Sequence, residues 1–546
     1  MAVFYSKIMF SFRKKWPIYT DLLAKILIFT SFMLCLWRVF QATYCELCMF
    51  DEAYYAVMIR DQPSEFTLSK FYKYVNWMKG MGLIKQRQLM VLALLIGNSL
   101  VSATIFCKIR KYFRLRFIDL LMIFALLFCG NFMLRFPYIL LPSYVFMNYI
   151  IVCISYSFLL ASSLVYSKYL KIFFEFISGY VFIQLFYIMA TNLVLAIPVV
   201  LFLYLNRRSL SVITWCFGCI AGLLGYCLLF NDYSLFVVFF QKSPGAGSLS
   251  SRLILIFKVF WYDVRYVILP MFAWGISLYS IYQLKEKNRI IMFGIVCLAA
   301  LLTFHPMAKF IYLWSDPMLL AVLPLFFLLL YAYKMDRCHW MALAIWWLIP
   351  LGLVLGSDTG FRWRGGWYAG VYAVTLYLFL KKHVAFRWGG VFLLSFYMLF
   401  YIQSWSRSTG DVVAPFSEHA YSISNLGYSD SLCVSKNYYE ILKNYKELLP
   451  SSASYAAGSS KYVWFFSYFG NLLPLSYHFQ ASSQQILQAI QNFSATDVKN
   501  IVLIDDLRQP FNGGFYSELK KITDCEILRS PIDDRFSMLQ LIPRQK

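Results

Sequence analysis

Residues 22–56 read LLAKILIFTSFMLCLWRVFQ, then ATYCELCMF, then DEAYYA. The first twenty are apolar but for Lys25, Arg38 and a few small polar side chains. At ~1.5 Å per residue such a helix covers the ~30 Å of a bilayer's hydrocarbon. The run then breaks at Cys45-Glu-Leu-Cys48 and meets two adjacent acids, Asp51 and Glu52, followed by Tyr54 and Tyr55. A crossing that ends in carboxylates and tyrosines reads as a membrane span opening onto an aqueous interface.

The rest of the 546 residues extends that reading. The chain is 60% hydrophobic, 20% aromatic and only 14% charged, with a mean hydropathy of +0.61. Cores of ordinary size do not hide that much apolar surface, which rules out most soluble domains, and disorder requires low hydrophobicity, so the composition argues against it too. Candidate spans lie near 22–41, 89–107, 117–134, 144–166, 172–189, 191–205, 209–230, 264–283, 290–304, 318–333, 338–355, 366–381 and 388–403. The stretch 172–205 is too long for one crossing at ~1.5 Å per residue, and Asn192 and Pro198 interrupt it, so two short crossings are expected there.

The formal charge of +23 is unevenly spread. The last 140 residues carry 13 basic and 13 acidic side chains, which leaves 37 basic against 14 acidic in residues 1–406. These basic residues are scattered between apolar runs rather than gathered on one polar face, so they do not read as a nucleic-acid surface. With a cytoplasmic N-terminus (Lys7, Arg13, Lys14, Lys15) and thirteen crossings, six later clusters fall inside. They are Lys108–Arg116, Lys168/Lys171, Arg207/Arg208, Lys285–Arg289, Lys334/Arg337 and Lys381–Arg387, which with the N-terminus hold 21 of the 37 basic residues. The same parity places the 42–88 loop and the C-terminal residues outside. The N-terminus has no small-residue cleavage site, so the first span is expected to stay as a signal anchor.

Beyond Ser406 the texture becomes polar and mixed. Helical spacing at 437–449, 482–493 and 514–522 alternates with strand-like runs at 473–479, 498–504, 526–528 and 536–542. This predicts a small α/β domain over 407–546 with a mostly parallel sheet, attached to a membrane portion 1–406. Asp505 and Asp506 close one strand-like run, where such domains often take ligands; a plain solvent-facing strand end is the alternative. In an oxidising compartment Cys45/Cys48 or Cys433/Cys525 would be disulfide pairs.

The acid pair is the sharpest chemical feature. On a helix Asp51 and Glu52 point about 100° apart and can border one site. One would serve as general base and the other would orient it or hold a divalent metal. The alternative is a solvated acid pair anchored by interfacial tyrosines, Tyr55 among them. The loop also carries Lys70, Lys73, Lys79 and Lys85, which suit phosphate as point charges or simply neutralise the loop. His305 and Lys309, in His305-Pro-Met-Ala-Lys309, are phosphate-binding or snorkelling residues. Arg362 and Arg364, between glycines and aromatics in 356–366, suit bidentate phosphate recognition or belong to a tight interfacial loop.

An outer-loop Asp51-Glu52 followed by Tyr55-Ala56, directly after a first span, resembles the C-type lipid-phosphosugar-dependent glycosyltransferases. These include the aminoarabinose transferases and the protein O-mannosyltransferase-like enzymes. The run from Arg87-Gln-Leu-Met-Val to Ile105, ending in a basic turn, is similar to that family's second span. The resemblance implies a polytopic helical membrane protein with about 13 crossings, N-terminus inside, and a C-terminal extracytoplasmic domain. It implies Asp51 as catalytic base, Glu52 as supporting or metal-coordinating acid, and a polyprenyl-phosphate-linked sugar as donor. The family's later proline-rich stretch of the first loop is absent; Phe66–Lys85 stands there instead.

The expected activity is therefore sugar transfer from a polyprenyl-phosphate carrier to a glycan, lipid or protein acceptor. It would take place on the outer face of a bacterial inner membrane, with Lys70, Lys85, His305, Lys309, Arg362, Arg364 and Tyr55 on the donor side. No cofactor is required by the motifs, a divalent metal is compatible with them, and the bilayer is the other partner. A surface-polysaccharide polymerase or ligase would more often rely on arginines of a large outer loop. A transporter or flippase would want more intramembrane ionisable groups than Lys25, Arg38, Asp119 and Glu175.

Overall fold

The computed structural model describes residues 2–45, 47, 49, 51–63, 70–132, 140–207, 209–231, 258, 324–325, 327–329, 331–332, 334–354, 368–382, 419–476, 481–494 and 497–544. The helices among them are α1 (Ala2–Thr43), α2 (Asp51–Asp61), α3 (Phe71–Tyr74), α4 (Leu83–Phe113), α5 (Phe117–Gly130), α6 (Tyr144–Ser162), α7 (Lys168–Phe182), α8 (Leu185–Met189), α9 (Ala196–Arg207) and α10 (Ser209–Phe230). They continue with α11 (Arg337–Val354), α12 (Ala369–Lys382), α13 (Lys436–Leu448), α14 (Val463–Phe469), α15 (Ser483–Gln491) and α16 (Gly513–Thr523). The strands are β1 (Tyr421–Ser422), β2 (Cys433–Val434), β3 (Tyr455–Gly458), β4 (Leu473–Pro474), β5 (Ile501–Asp506), β6 (Cys525–Pro531) and β7 (Phe536–Pro543). By contacts the chain forms two compact units.

The first unit comprises Met1–Trp37, Ala93–Phe136 and Tyr144–Trp405. Among the described residues, six helical stretches are long and apolar enough to cross a membrane: Asp21–Thr43, Leu83–Phe113, Tyr144–Ser162, Lys168–Met189, Ser209–Phe230 and Arg337–Val354. Shorter apolar helices lie at Phe117–Gly130 and Asn192–Leu205. The long run around Asn192 does break, with Ala190–Leu195 in 3-10 geometry between α8 and α9. The expected spans near 264–283, 290–304 and 388–403 lie outside the described residues, as does most of 318–333.

Small residues let these helices touch. A Cβ on Gly179 of α7 would lie 2.1 Å from the carbonyl oxygen of Trp215 on α10, and one on Gly218 would lie 2.1 Å from that of Phe176. With hydrophobic sorting weak in lipid, such close backbone packing and hydroxyl bonds hold helices together. Ser155 on α6 and Ser178 on α7 supply the hydroxyl bonds, each donating to the other's carbonyl at 2.9 and 3.0 Å. Asp119, fully buried, accepts the Tyr377 hydroxyl at 2.7 Å and pairs with Lys381, so its charge is neutralised within α5 and α12.

The second unit comprises Arg38–Leu92, Pro137–Ser143 and Ser406–Lys546. Its five-stranded sheet runs β4-β3-β5-β7-β6. β4, β3 and β5 are parallel, whereas β7 is antiparallel to both β5 and β6. The mostly parallel sheet expected from the alternation is thus only half right. A short link from Pro531 to Phe536 joins β6 to β7, and so short a connection makes a hairpin, not a crossover. One face carries α15 and α16, where Ile486, Ile490, Phe515 and Leu519 pack with Leu503, Leu539 and Leu541. The alternate residues of β7 face the other layer. Gln540 donates to the Leu448 carbonyl of α13 at 3.1 Å, and the Phe536 ring lies 5.3 Å from Phe466 of α14.

Helix starts in this unit are set by side chains. Ser482 and Gln485 form a capping box on α15, and the Asn512 side chain accepts the Phe515 amide at 2.9 Å on α16. Asp505 and Asp506 follow neither reading: both are buried rather than solvent-facing, and protein groups already occupy their oxygens. Asp505 accepts from the Phe511 amide, Tyr516 and Arg529, and Asp506 from the Arg508 amide and Arg535. Cys433 and Cys525 are separate free thiols, one exposed and one buried. Cys48 lies outside the described residues.

Candidate active site around the first acidic helix

Asp51 and Glu52 form the first turn of α2, where the helix dipole favours anions. The two carboxylates differ in surroundings. Glu52 is 1% exposed and Asp51 is half-buried. Glu52 meets Arg87, one turn into α4, in a two-pronged pair: Nε to Oε1 at 2.9 Å and Nη2 to Oε2 at 2.6 Å. Oε1 also accepts the amides of Leu140 and Leu141 at 3.0 and 3.2 Å. The third guanidinium nitrogen donates to the carbonyls of Ala42, Thr43 and Cys45 at 3.4, 3.1 and 2.7 Å. The Ala42 and Thr43 carbonyls belong to the last turn of α1, where a helix leaves its oxygens without helical partners, and Cys45 follows two residues on. A single buried ion pair therefore ties together the end of α1, the start of α2, the start of α4 and the 140–141 segment.

α2 is held along its whole length. Ala53, Tyr55, Ala56, Val57, Met58 and Ile59 are buried with Glu52. Tyr55 packs edge-on to Tyr54 and Phe71, with ring centres 5.5 and 5.3 Å apart. The Tyr54 ring meets Trp464 of α14 at 4.9 Å. At the far end Arg60 pairs with Asp61 and donates to the carbonyls of Ser467, Tyr468 and Leu472 at 2.9, 3.3 and 2.7 Å. The Ser467 and Tyr468 oxygens lie in the last turn of α14, so Arg60 caps that helix as a cation should, and Leu472 follows three residues beyond its end.

Further bonds join the first loop to the C-terminal residues of the same unit. Asp430 accepts the Leu83 amide at the start of α4 at 2.8 Å, and its other oxygen accepts the Tyr468 hydroxyl at 3.2 Å. Burial and then the Asp430 carboxylate push the Tyr468 phenol up, which keeps it a donor. Tyr438 donates to the Leu47 carbonyl at 3.1 Å, and the Cys433 amide to that of Tyr44 at 2.7 Å.

Of the residues expected at the site, Asp51, Glu52 and Tyr55 share α2. Lys70 is 2% exposed at the start of α3, and Lys85 is exposed on the first turn of α4. His305, Lys309, Arg362 and Arg364 lie outside the described residues. Arg87 and Arg60 are the residues that sequence reasoning passed over. Arg87 had a signal, since an arginine a turn inside an apolar span is costly unless paired, but its partner had none: Asp61 and Glu65 are nearer in sequence than Glu52. As to a metal, both Glu52 oxygens already face the Arg87 guanidinium and two amides, so Glu52 does not fit as a ligand to a second cation. Among the described residues, no three His, Cys, Asp or Glu side chains converge as a metal site.

No protein-family model and no curated protein matches the chain. Two solved structures of ArnT from Cupriavidus metallidurans align over most of its length. The apo form is 13% identical, with a TM-score of 0.41, 96% of this chain and 98% of that one covered. The form bound to undecaprenyl phosphate is 12% identical, with a TM-score of 0.41, covering 96% and 97%. Likeness of this grade gives no residue correspondence, and the site stands on its own geometry.

Proposed function

We propose that the chain is a membrane glycosyltransferase that moves a sugar from a polyprenyl-phosphate carrier to an acceptor. The carrying observation is the division of labour in the first turn of α2. Glu52 is saturated by Arg87 and two backbone amides, whereas its neighbour Asp51 is half-buried at the end of an apolar span. In this reading Glu52 is the anchor and Asp51 the base. Asp51 takes the proton from an acceptor hydroxyl or amine, whose lone pair attacks the anomeric carbon. The C–O bond to the carrier breaks, and the polyprenyl phosphate leaves with the electron pair. Lys85, Lys70 and the basic side chains His305, Lys309, Arg362 and Arg364 are the proposed donor-phosphate contacts, and Tyr55 packs behind the acids. A single displacement inverts the anomeric centre.

The proposed setting is a bacterial inner membrane, with the N-terminus inside, about 13 crossings, and residues 407–546 together with the first loop on the outer side. Charge distribution supports that orientation. Incubating the purified chain with a panel of undecaprenyl-phosphate sugars and following free undecaprenyl phosphate by phosphorus NMR tests the donor class. Release that depends on an added acceptor extract is the expected result. A panel left intact with every hexose and pentose overturns the proposal.

A further inference from the structure

Three basic segments, far apart in the chain, meet at one place in the first unit. α4 closes on Lys108-Ile-Arg110-Lys111-Tyr112-Phe113 with Arg114 after it, α11 opens on Arg337 and Cys338, and α12 ends on Lys381 and Lys382. Lys108 donates to the Cys338 sulfur at 3.1 Å, and the Tyr112 ring stacks on His339 with centres 6.1 Å apart. The Lys382 ammonium lies 3.1 Å from the centre of the Tyr112 ring, and 5.5 and 5.2 Å from those of Phe113 and Tyr331. Orientation across a membrane requires only that such charges share one set of loops. It does not require them to converge.

The cations here outnumber the acids that could answer them. Among the described residues, Lys108, Arg110, Lys111, Arg114, Arg337 and Lys382 have no ion pair. The acids beside the group are already engaged. Asp119 pairs with Lys381 and Asp21 with Lys25 at 2.7 Å, while Asp336 meets His339 at 3.0 Å and accepts the Cys338 amide at 3.2 Å. Lys382 is half-buried against its rings, so water screens it less than a free surface lysine. The ring faces offset part of that cost. An anion offsets more and relieves the repulsion between neighbouring cations. α4 and α11 are long and apolar enough to cross a membrane, and the cluster sits on the end of both, at the level of lipid headgroups. A basic pocket between such helices suits an anionic headgroup.

We infer that this cluster binds the phosphodiester headgroup of an anionic membrane lipid. The site does not depend on the transfer reaction proposed above. The test is native mass spectrometry of the purified full-length chain in detergent, titrated with phosphatidylglycerol or phosphatidylcholine, with inorganic phosphate as competitor. Saturable binding of phosphatidylglycerol is expected, at least ~10-fold tighter than that of phosphatidylcholine and not displaced by inorganic phosphate. Lys382→Gln and Lys108→Gln should each weaken it about fivefold at an unchanged thermal midpoint, the scale of one basic side chain at an anionic lipid surface. Lys382→Arg should retain it. Lys168→Gln combined with Lys171→Gln, which removes a basic pair at the start of α7, should leave it unchanged. Equal affinity for the two lipids, displacement by inorganic phosphate, indifference to Lys382→Gln and Lys108→Gln, or an equal loss from the α7 pair would overturn the inference.

Discussion

At the scale of single residues, Glu52 and Arg87 are the pair on which the first loop depends. Both side chains are 2% exposed. Removing one partner leaves a buried charge uncompensated, which typically costs about 3–5 kcal/mol. Arg87→Met should therefore lower the thermal midpoint of the purified chain by several degrees, and Arg87→Lys should recover little of it. A lysine cannot reproduce the fork that spans Glu52 and three carbonyls at once. An unchanged midpoint for Arg87→Met would remove the anchor from the account. The acids themselves were plain in the sequence because adjacent carboxylates after an apolar run stand out. Their unequal surroundings were not, because they depend on Arg87, 35 residues away, and on the amides of Leu140 and Leu141.

Among elements, α14 shows what periodicity misses. Val463–Phe469 reads VWFFSYF, an aromatic run that favours a strand by composition, yet it is a helix buried between α2, α13 and the sheet. β3 was equally hidden, since Tyr455-Ala-Ala-Gly458 has little β-branched or alternating character. By contrast α13, α15 and α16 have polar caps and amphipathic spacing, and all three were anticipated. Arg60 joins α2 to the end of α14, so Arg60→Ala should raise amide hydrogen exchange in both helices while leaving α15 and α16 protected. Uniform exchange across all four would contradict that linkage. Tyr428 offers a pH test of the same unit. Burial pushes its phenol up to about 12 from 10.0, so the folded chain keeps a proton that the unfolded chain has released. Stability from this group is intact below pH 10 and is lost as pH rises towards 12. Alkaline unfolding followed by circular dichroism should be shallower in that window for Tyr428→Phe.

For the molecule as a whole, the sequence announced its class through composition. The basic clusters between apolar runs support the proposed orientation across the membrane. Where charge sits relative to the membrane is an electrostatic property of the loops, whereas packing records only which helices touch. Cys433 reports on orientation because its thiol is exposed beside the first-loop segment. In a chain that keeps Cys433 as its sole cysteine, a membrane-impermeant maleimide added to intact spheroplasts should label it at once, and Cys433→Ser in that background should abolish the signal. Labelling only after permeabilisation would reverse the topology. The central claim, that Asp51 reacts while Glu52 holds, is tested most directly by measuring turnover and thermal midpoint together. The measurement compares Asp51→Asn and Glu52→Gln with the unsubstituted chain on its best polyprenyl-phosphate sugar. The account predicts that Asp51→Asn loses at least ~100-fold in turnover, the scale of general-base catalysis, at an unchanged midpoint, while Glu52→Gln lowers the midpoint. Normal turnover by Asp51→Asn would contradict it.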